Sequence, residues 1–180
     1  TNILKKKVLL RAPVLSHSGY GVHSRQIARW LLAKDDVDLT VHPVQWGITP
    51  WQLDVNAYDG LIGQLMSKSK VESNDFDISF QVQLPNEWSR LAKKNIGITA
   101  GVETTICNPD WVSAVNAMDK VIVPTTFIKN VFEKSGNLKK DQVLVVPESY
   151  TDSVVQVENS LDIEFSTKFI PGTQKGGDYF

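Results

Sequence analysis

The sequence contains one cysteine, Cys107, and three histidines in 180 residues. A single thiol excludes an internal disulfide and a zinc site made of cysteines alone. We interpret Cys107 as a small packing residue rather than a nucleophile, because no candidate base lies near it in the sequence. No pair of His, Asp or Glu has the spacing of metal ligands, so we predict no metal site.

Long hydrophobic runs and an excess of one charge are also missing. No apolar stretch approaches the roughly 20 residues that a membrane-spanning helix needs, and the first residues lack the apolar core of a signal peptide. Lys and Arg number 19 against 20 Asp and Glu, which leaves a net charge of -1. This balance gives no general attraction to nucleic acid or to an anionic membrane. We therefore expect a soluble, cytoplasmic protein that binds neither.

Short apolar runs alternate with segments of helical spacing along most of the chain. Strands are predicted at residues 7–12, 38–42, 76–82, 96–99, 120–123 and 143–146. Helices are predicted after residue 21, near 61–68, after the cap Asn86, from 108 to about 118, and from 125 or 126 to a C′ glycine at 136. Apolar spacing predicts that Val22 lies on the buried face of the first of these helices and Phe127 on that of the last. Such alternation predicts a mostly parallel sheet covered on both faces, in a Rossmann-like three-layer α/β/α domain.

The strand and helix pattern weakens beyond residue 149. We assign residues 1–150 to the Rossmann-like domain and residues 151–180 to a linker or to the start of a further domain. The last residues are rich in Gly and Lys, and they contain one short apolar run.

The most suggestive loop is SHSGYGVHSR at residues 16–25, between the first strand and the first helix. Gly19 and Gly21 allow positive φ and a close approach of the backbone to a ligand, and the start of the helix favours an anion such as phosphate. The alternative is an ordinary strand-to-helix turn. The pattern fits a dinucleotide fingerprint only in part, because Ser24 stands in place of the third Gly or Ala. His17, at the strand end, is a candidate base, and His23 is a weaker one.

Three later loops add polar and aromatic side chains at the same edge of the predicted sheet. Glu103, Thr104 and Thr105 follow strand four and would hydrogen-bond sugar hydroxyls, with Glu103 also a candidate general base. The alternative for Glu103 is a carboxylate that caps the next helix or pairs with a lysine. Trp88 follows strand three, and two further Trp residues, Trp46 and Trp51, follow strand two. These rings would either stack on sugar rings or pack in the core.

Several stretches resemble the amino-terminal half of a group 1 glycosyltransferase with the GT-B fold. They are SHSGYGVHSRQIARWLL, VQWGITPW, ISFQVQLPNEW, the run from residue 95 to 136, and VVPES, in that order. The segment MDKVIVPTTFIKNVFEKSG is especially typical of the family. The resemblance covers roughly residues 7–149.

The resemblance implies the acceptor-side domain of an enzyme that moves a sugar from a nucleotide-sugar donor to an acceptor hydroxyl. The loop with Gly19, Tyr20 and Gly21 would contact the donor diphosphate. His17 matches the position where inverting relatives place a base, and Glu103, Trp88, Thr104 and Thr105 would serve the acceptor. A donor-binding domain, in cis or in trans, would be the partner, and no cofactor beyond the nucleotide sugar is implied.

Two other functions stay open from the sequence. The first is a non-catalytic module that binds a glycan or nucleotide, or that docks to another subunit. The second is a nucleotide-dependent enzyme such as an oxidoreductase, against which the imperfect glycine pattern counts.

Overall fold

Six parallel strands form one sheet in the computed structural model, which describes residues 4–69 and 75–149. The strands are β1 (Lys6–Ala12), β2 (Val37–Pro43), β3 (Ile78–Val82), β4 (Lys94–Ile98), β5 (Lys120–Val123) and β6 (Val143–Val145). The helices are α1 (Gly19–Leu32), α2 (Leu61–Ser67), α3 (Pro109–Ala117) and α4 (Thr126–Ser135). The chain divides into two units after Ser149, and the predicted linker or further domain at 151–180 lies outside the described residues.

The strand order is β2-β1-β3-β4-β5-β6, and every neighbouring pair is parallel. This confirms the predicted α/β class with a Rossmann-like arrangement. The chain moves from β1 to β2 in one direction and from β3 onward in the other, so the order reverses between β1 and β3. In open α/β sheets the crevice outside the carboxyl ends of the strands at such a reversal is where ligands bind.

Two hydrophobic cores lie on opposite faces of the sheet. One core joins α1 and α2 to the strand face that carries Val8, Leu10 and Ile98. The other joins α3 and α4 to Val121 and Val123. The faces are opposite because Ile98 is paired with Ile122, whose side chain alternates with those of its two neighbours. The structure is therefore a helix–sheet–helix sandwich, as predicted.

The predicted helix after Asn86 is wrong. A single 3-10 turn, Pro85–Glu87, stands there instead, and Trp88 follows it in an extended conformation. Hydrogen bonds from the sheet hold this segment: the Gln81 side chain donates to the carbonyl of Ser89 at 2.6 Å and accepts from its N–H at 3.0 Å. These bonds use the backbone groups that a longer helix would have paired internally.

Three helical positions also differ from the sequence prediction. Val22 and Phe127 were expected on buried helix faces, but both are about half exposed. In α1 the buried face instead includes Gly21, Ser24 and Arg25. Because Ser24 and Arg25 are polar, the spacing of apolar residues alone does not identify this face. Gly136 ends α4 in extended backbone, with φ 172°, so it is not a left-handed C′ residue.

Candidate functional site

The first turn of α1 lies at the carboxyl end of β1 and leaves two backbone donors open. The N-cap Ser18 accepts a hydrogen bond from the N–H of Gly21 through its Oγ at 3.0 Å. Ser16 Oγ in turn donates to Ser18 Oγ at 2.9 Å and lies 2.6 Å from the Thr49 hydroxyl. Among the described residues the N–H groups of Gly19 and Tyr20 have no acceptor. Two free donors at a helix start form an environment that favours an anion.

The two glycines of this turn have different roles from the one predicted. Among the described glycines positive φ occurs at Gly47, Gly60 and Gly101 and not at Gly19 or Gly21, so neither of these two uses the left-handed freedom that a glycine allows. A Cβ on Gly21 would lie 2.1 Å from the carbonyl oxygen of Ser16, whereas a Cβ on Gly19 would meet nothing within 4 Å. Gly21 thus permits the close packing of the turn on the preceding loop, and Gly19 leaves open space beside the two free donors.

A buried arginine lies behind the same turn. Arg25 is 5% exposed and donates through one nitrogen to the carbonyls of Val14 at 3.0 Å and Ser16 at 2.9 Å. Its guanidinium stacks over the ring of Tyr58 at 4.7 Å. Burial lowers the pKa of Arg25 below its ordinary value, but the pKa of a guanidinium starts so high that the group stays charged. This positive charge adds to the helix dipole at the start of α1.

Tyr20 connects α1 to the loop that follows β4. Its hydroxyl accepts a hydrogen bond from the N–H of Ala100 at 3.0 Å and lies 3.3 Å from the hydroxyl of Thr99. Its ring stacks on Trp46, with the ring centroids 3.9 Å apart and the planes at 17°. Tyr20 therefore fixes three loops, those after β1, β2 and β4, in one place at the carboxyl edge of the sheet.

The loop that carries Trp46 is itself bound to the loop after β1. The N–H of His17 donates to the carbonyl of Pro50 at 3.1 Å, and the N–H of Gln52 donates to the carbonyl of Leu15 at 2.7 Å. An isolated antiparallel bridge joins Ser16 to Trp51. These main-chain bonds join the loops after β1 and β2 at the edge of the site.

A cleft of about 260 Å³ opens between these loops. It is lined by Gly19, Tyr20, His23, Trp46, Ala100 and Glu148. The Nδ1 atom of His23 is buried and has no hydrogen-bond partner within the described part of the chain, while Glu148 is an exposed carboxylate just after β6. The cleft thus combines two backbone donors, an imidazole, a carboxylate and a stacked aromatic pair, which is a set suited to a polar ligand with an anionic group.

The residues predicted from the sequence divide into two groups. Gly19 and Tyr20 line the cleft. Gly21 does not line it, but its lack of a side chain lets the first turn of α1 pack against the carbonyl of Ser16. His17 is exposed, and it does not appear in the lining of the cleft. A direct role for His17 stays a prediction.

The residues predicted to contact the acceptor lie away from the cleft lining. Glu103, Thr104 and Thr105 are exposed in the loop after β4, and the hydroxyl of Thr104 donates to the carbonyl of Ile106 at 2.7 Å. Neither alternative proposed for Glu103 is seen, because Asn108 caps α3 and the described residues place no lysine in an ion pair with Glu103. Acceptor contacts by this loop stay a prediction.

Trp88 packs against the sheet. Its indole N–H donates to the carbonyl of Gln81 at 3.1 Å, and a Cβ on Gly97 would lie 2.7 Å from its ring. The missing side chain at Gly97 makes room for the indole on the face of β4. The packing role that the sequence left open for Trp88 is thus visible, and stacking on a sugar stays a prediction.

Sequence reasoning gave His23 little weight and missed Ala100 and Glu148. Glu148 was within reach of the rule used for the other loops, since it follows a parallel strand as Glu103 does. His23 was harder to find, because its position in the wall of the cleft depends on the tilt of α1 over the sheet.

Within residues 4–69 and 75–149 no group of three or more His, Cys, Asp or Glu is placed to hold a metal ion. No helix in the described part of the chain is long and apolar enough to cross a membrane. Comparison of the chain with protein-family models, with curated proteins and with solved structures gives no match in any of the three.

Proposed function

We propose that this chain is the acceptor-side domain of a glycosyltransferase, which transfers a sugar from a nucleotide-sugar donor to an acceptor hydroxyl. The observation that carries the proposal is the start of α1 at the switch point of a parallel sheet. There the N–H groups of Gly19 and Tyr20 have no acceptor among the described residues, and a Cβ on Gly19 would meet nothing within 4 Å. The motif resemblance of residues 7–149 to the amino-terminal half of such enzymes agrees with this position.

Charge favours a contact between the donor diphosphate and the start of α1. A diphosphate carries negative charge at neutral pH, and it would receive hydrogen bonds from the two free N–H groups together with the field of α1 and of Arg25. In a transfer reaction these donors would stabilise the charge that grows on the leaving diphosphate. Gly19 has space beside it for that group.

The other walls of the cleft offer aromatic and polar side chains to an acceptor. The stacked pair of Tyr20 and Trp46 presents aromatic surface, and sugar rings pack on such surface. His23 and Glu148 line the cleft and would orient a hydroxyl, and an imidazole is a side chain suited to accept its proton. His17 and Glu103, which the family resemblance favours, would join this set when donor and acceptor are bound.

One observation favours the second candidate, a binding module without catalysis. His17 and Glu103, the two predicted catalytic residues, do not share the lining of the cleft, and the cleft has one imidazole and one exposed carboxylate. A module of this kind would bind a glycan or nucleotide, or would present it to a partner subunit that carries a donor domain.

Thermal unfolding of the chain with UDP-, GDP- and ADP-sugars, free nucleotides and simple glycans tests the proposal. A ligand that binds only the folded state at 100 times its Kd adds about 2.7 kcal/mol of stability. We expect stabilisation by a nucleotide sugar or by a glycan, with sugar transfer appearing once a donor-binding domain is added. Binding without transfer in that mixture supports the module, and no stabilisation by any of these ligands contradicts both candidates.

A further inference from the structure

Three consecutive residues before α2 have a left-handed backbone. The φ angle is 55° at Tyr58, 58° at Asp59 and 79° at Gly60. Glycine adopts this conformation freely, whereas it costs free energy for a residue with a Cβ and is an outlier for a bulky one such as tyrosine. Such residues persist only where their surroundings hold them, and they cluster at functional sites. The contacts of Tyr58 therefore explain why the turn is kept.

Two arginines of α1 hold Tyr58 in this conformation. The Nη2 atom of Arg29 donates a hydrogen bond to the carbonyl of Tyr58 at 3.1 Å. The guanidinium carbon of Arg25 lies over the Tyr58 ring, 4.7 Å from its centroid. The face of an aromatic ring attracts a cation, and the attraction is stronger where water is excluded. Because Arg25 is buried, the left-handed turn places the ring where it covers a charge that water does not solvate.

The hydrogen bonds of Arg25 are directed at the loop after β1. Its Nη1 atom donates to the carbonyls of Val14 and Ser16 and would lie 3.1 Å from a Cβ on Gly21. The described residues offer its Nε and Nη2 atoms no acceptor. The ring of Tyr58 is thus the contact that holds the rest of the guanidinium behind the first turn of α1.

We propose that Tyr58 is a positioning residue for the start of α1. Its ring fixes the guanidinium of Arg25, and the guanidinium in turn fixes the carbonyl of Ser16 on which the first turn packs. That turn carries the free N–H groups of Gly19 and Tyr20. The loop after β2 thus sets the geometry of the donor contact, although Tyr58 does not line the cleft. The link to donor binding rests on the proposed function, whereas the link from Tyr58 to α1 does not.

NMR of the 180-residue chain without ligand tests the link to α1. Tyr58→Leu removes the aromatic face and keeps an apolar side chain, while Tyr58→Phe keeps the face. We expect the Nε–H signal of Arg25 and the backbone amide signals of Ser16 and Gly21 to move in Tyr58→Leu and to stay near the parent positions in Tyr58→Phe. These signals come from folded molecules, so a loss of stability alone does not move them. Parent-like amide signals of Ser16 and Gly21 in Tyr58→Leu overturn the proposal.

Asp59→Gly is the matched control for the backbone. Asp59 is an exposed neighbour of Tyr58 with the same left-handed φ, and glycine relieves the strain there while the ring of Tyr58 stays in place. We expect parent-like signals of Ser16 and Gly21 in this variant. Displacements as large as those in Tyr58→Leu would show that the turn itself, and not the ring, acts on α1, which overturns the role of Tyr58.

Titration of the same variants with inorganic pyrophosphate tests the link to donor binding. Substitutions at positions that touch no ligand change the coupling between sites by about two- to thirtyfold. We expect Tyr58→Leu to weaken pyrophosphate binding by a factor in this range, and Tyr58→Phe and Asp59→Gly to bind no more weakly than the parent does. Parent-like affinity in Tyr58→Leu overturns the link to donor binding. If pyrophosphate does not bind the parent chain, the donor contact of the proposed function fails, and the amide signals alone decide whether Tyr58 positions α1.

Discussion

At the residue scale, Gly19 and Gly21 show how two glycines in one helical turn serve different purposes. Both residues lie in the first turn of α1. In a helix Ala is preferred to Gly by about 1 kcal/mol. Only Gly21 faces a fixed obstacle, the carbonyl oxygen of Ser16 at 2.1 Å from an added Cβ. Since that oxygen belongs to the backbone and is held by Arg25, it has no simple way to move aside.

We therefore predict opposite outcomes for two alanine substitutions. Gly21→Ala should reduce the free energy of unfolding by about 1–3 kcal/mol, the range for inserting an atom into a packed region. Gly19→Ala should leave it unchanged or raise it by up to about 1 kcal/mol. Urea denaturation measures both. Equal stabilities for the two variants would show that the loop after β1 is not held as tightly as its contacts with Arg25 indicate.

At the element scale, side-chain hydrogen bonds from β3 and β4 hold the segment between these two strands, where the sequence predicted a helix. Asn95 accepts hydrogen bonds from the N–H groups of Leu91 at 2.8 Å and Ala92 at 3.0 Å and from the hydroxyl of Ser79 at 2.9 Å. Gln81 binds the backbone of Ser89. These bonds anchor the segment after β3 and explain why it contains only one short turn.

This network gives a prediction for the segment as a whole. Asn95→Ala should lower the free energy of unfolding by about 2–4 kcal/mol, because it leaves two backbone donors and a hydroxyl without a partner in a buried site. Asn130→Ala, at an exposed position on α4, is the control and should change it by less than about 0.5 kcal/mol. A small effect of Asn95→Ala in a chemical denaturation curve would mean that water replaces the lost carbonyl.

The elements that sequence reasoning located well are those whose signal is local. Apolar runs bounded by Pro or polar residues placed all six strands within two residues of their ends, and Asn108 with Pro109 marked the start of α3. The failed helix after Asn86 depends on Gln81 and Asn95, whose partners are decided only when the strands are side by side. The face of α1 was misjudged for the same reason, since the buried Arg25 finds its carbonyl acceptors only in the folded loop.

At the scale of the whole molecule, the cleft is a product of topology. Because all six strands are parallel, the segments that follow β1, β2, β4 and β6 begin at one edge of the sheet, where they contribute Gly19, Trp46, Ala100 and Glu148 to the cleft. The sequence could predict that polar loops meet at this edge. It could not predict which side chains share one cavity, because that depends on helix tilt and loop contacts such as the stacking of Tyr20 on Trp46.

An apolar groove beside α1 is also a property of the whole molecule; Trp30, Phe80, Ile98 and Ile122 are among its lining residues. It exists because the helices after β4 and β5 pack on one face of the sheet while α1 covers part of the other.

The most direct test of the central claim is to follow the backbone amide signals of the chain by NMR during titration with a nucleotide sugar that stabilises it. The account predicts that the N–H signals of Gly19 and Tyr20 shift most. In Gly19→Asp, where a carboxylate enters the open space beside these donors, affinity should fall about tenfold below that of the neutral isostere Gly19→Asn, equal to ~1.4 kcal/mol of lost attraction. Largest shifts elsewhere, for example along α4, or unchanged affinity in Gly19→Asp, would contradict the claim that the start of α1 binds the donor phosphates.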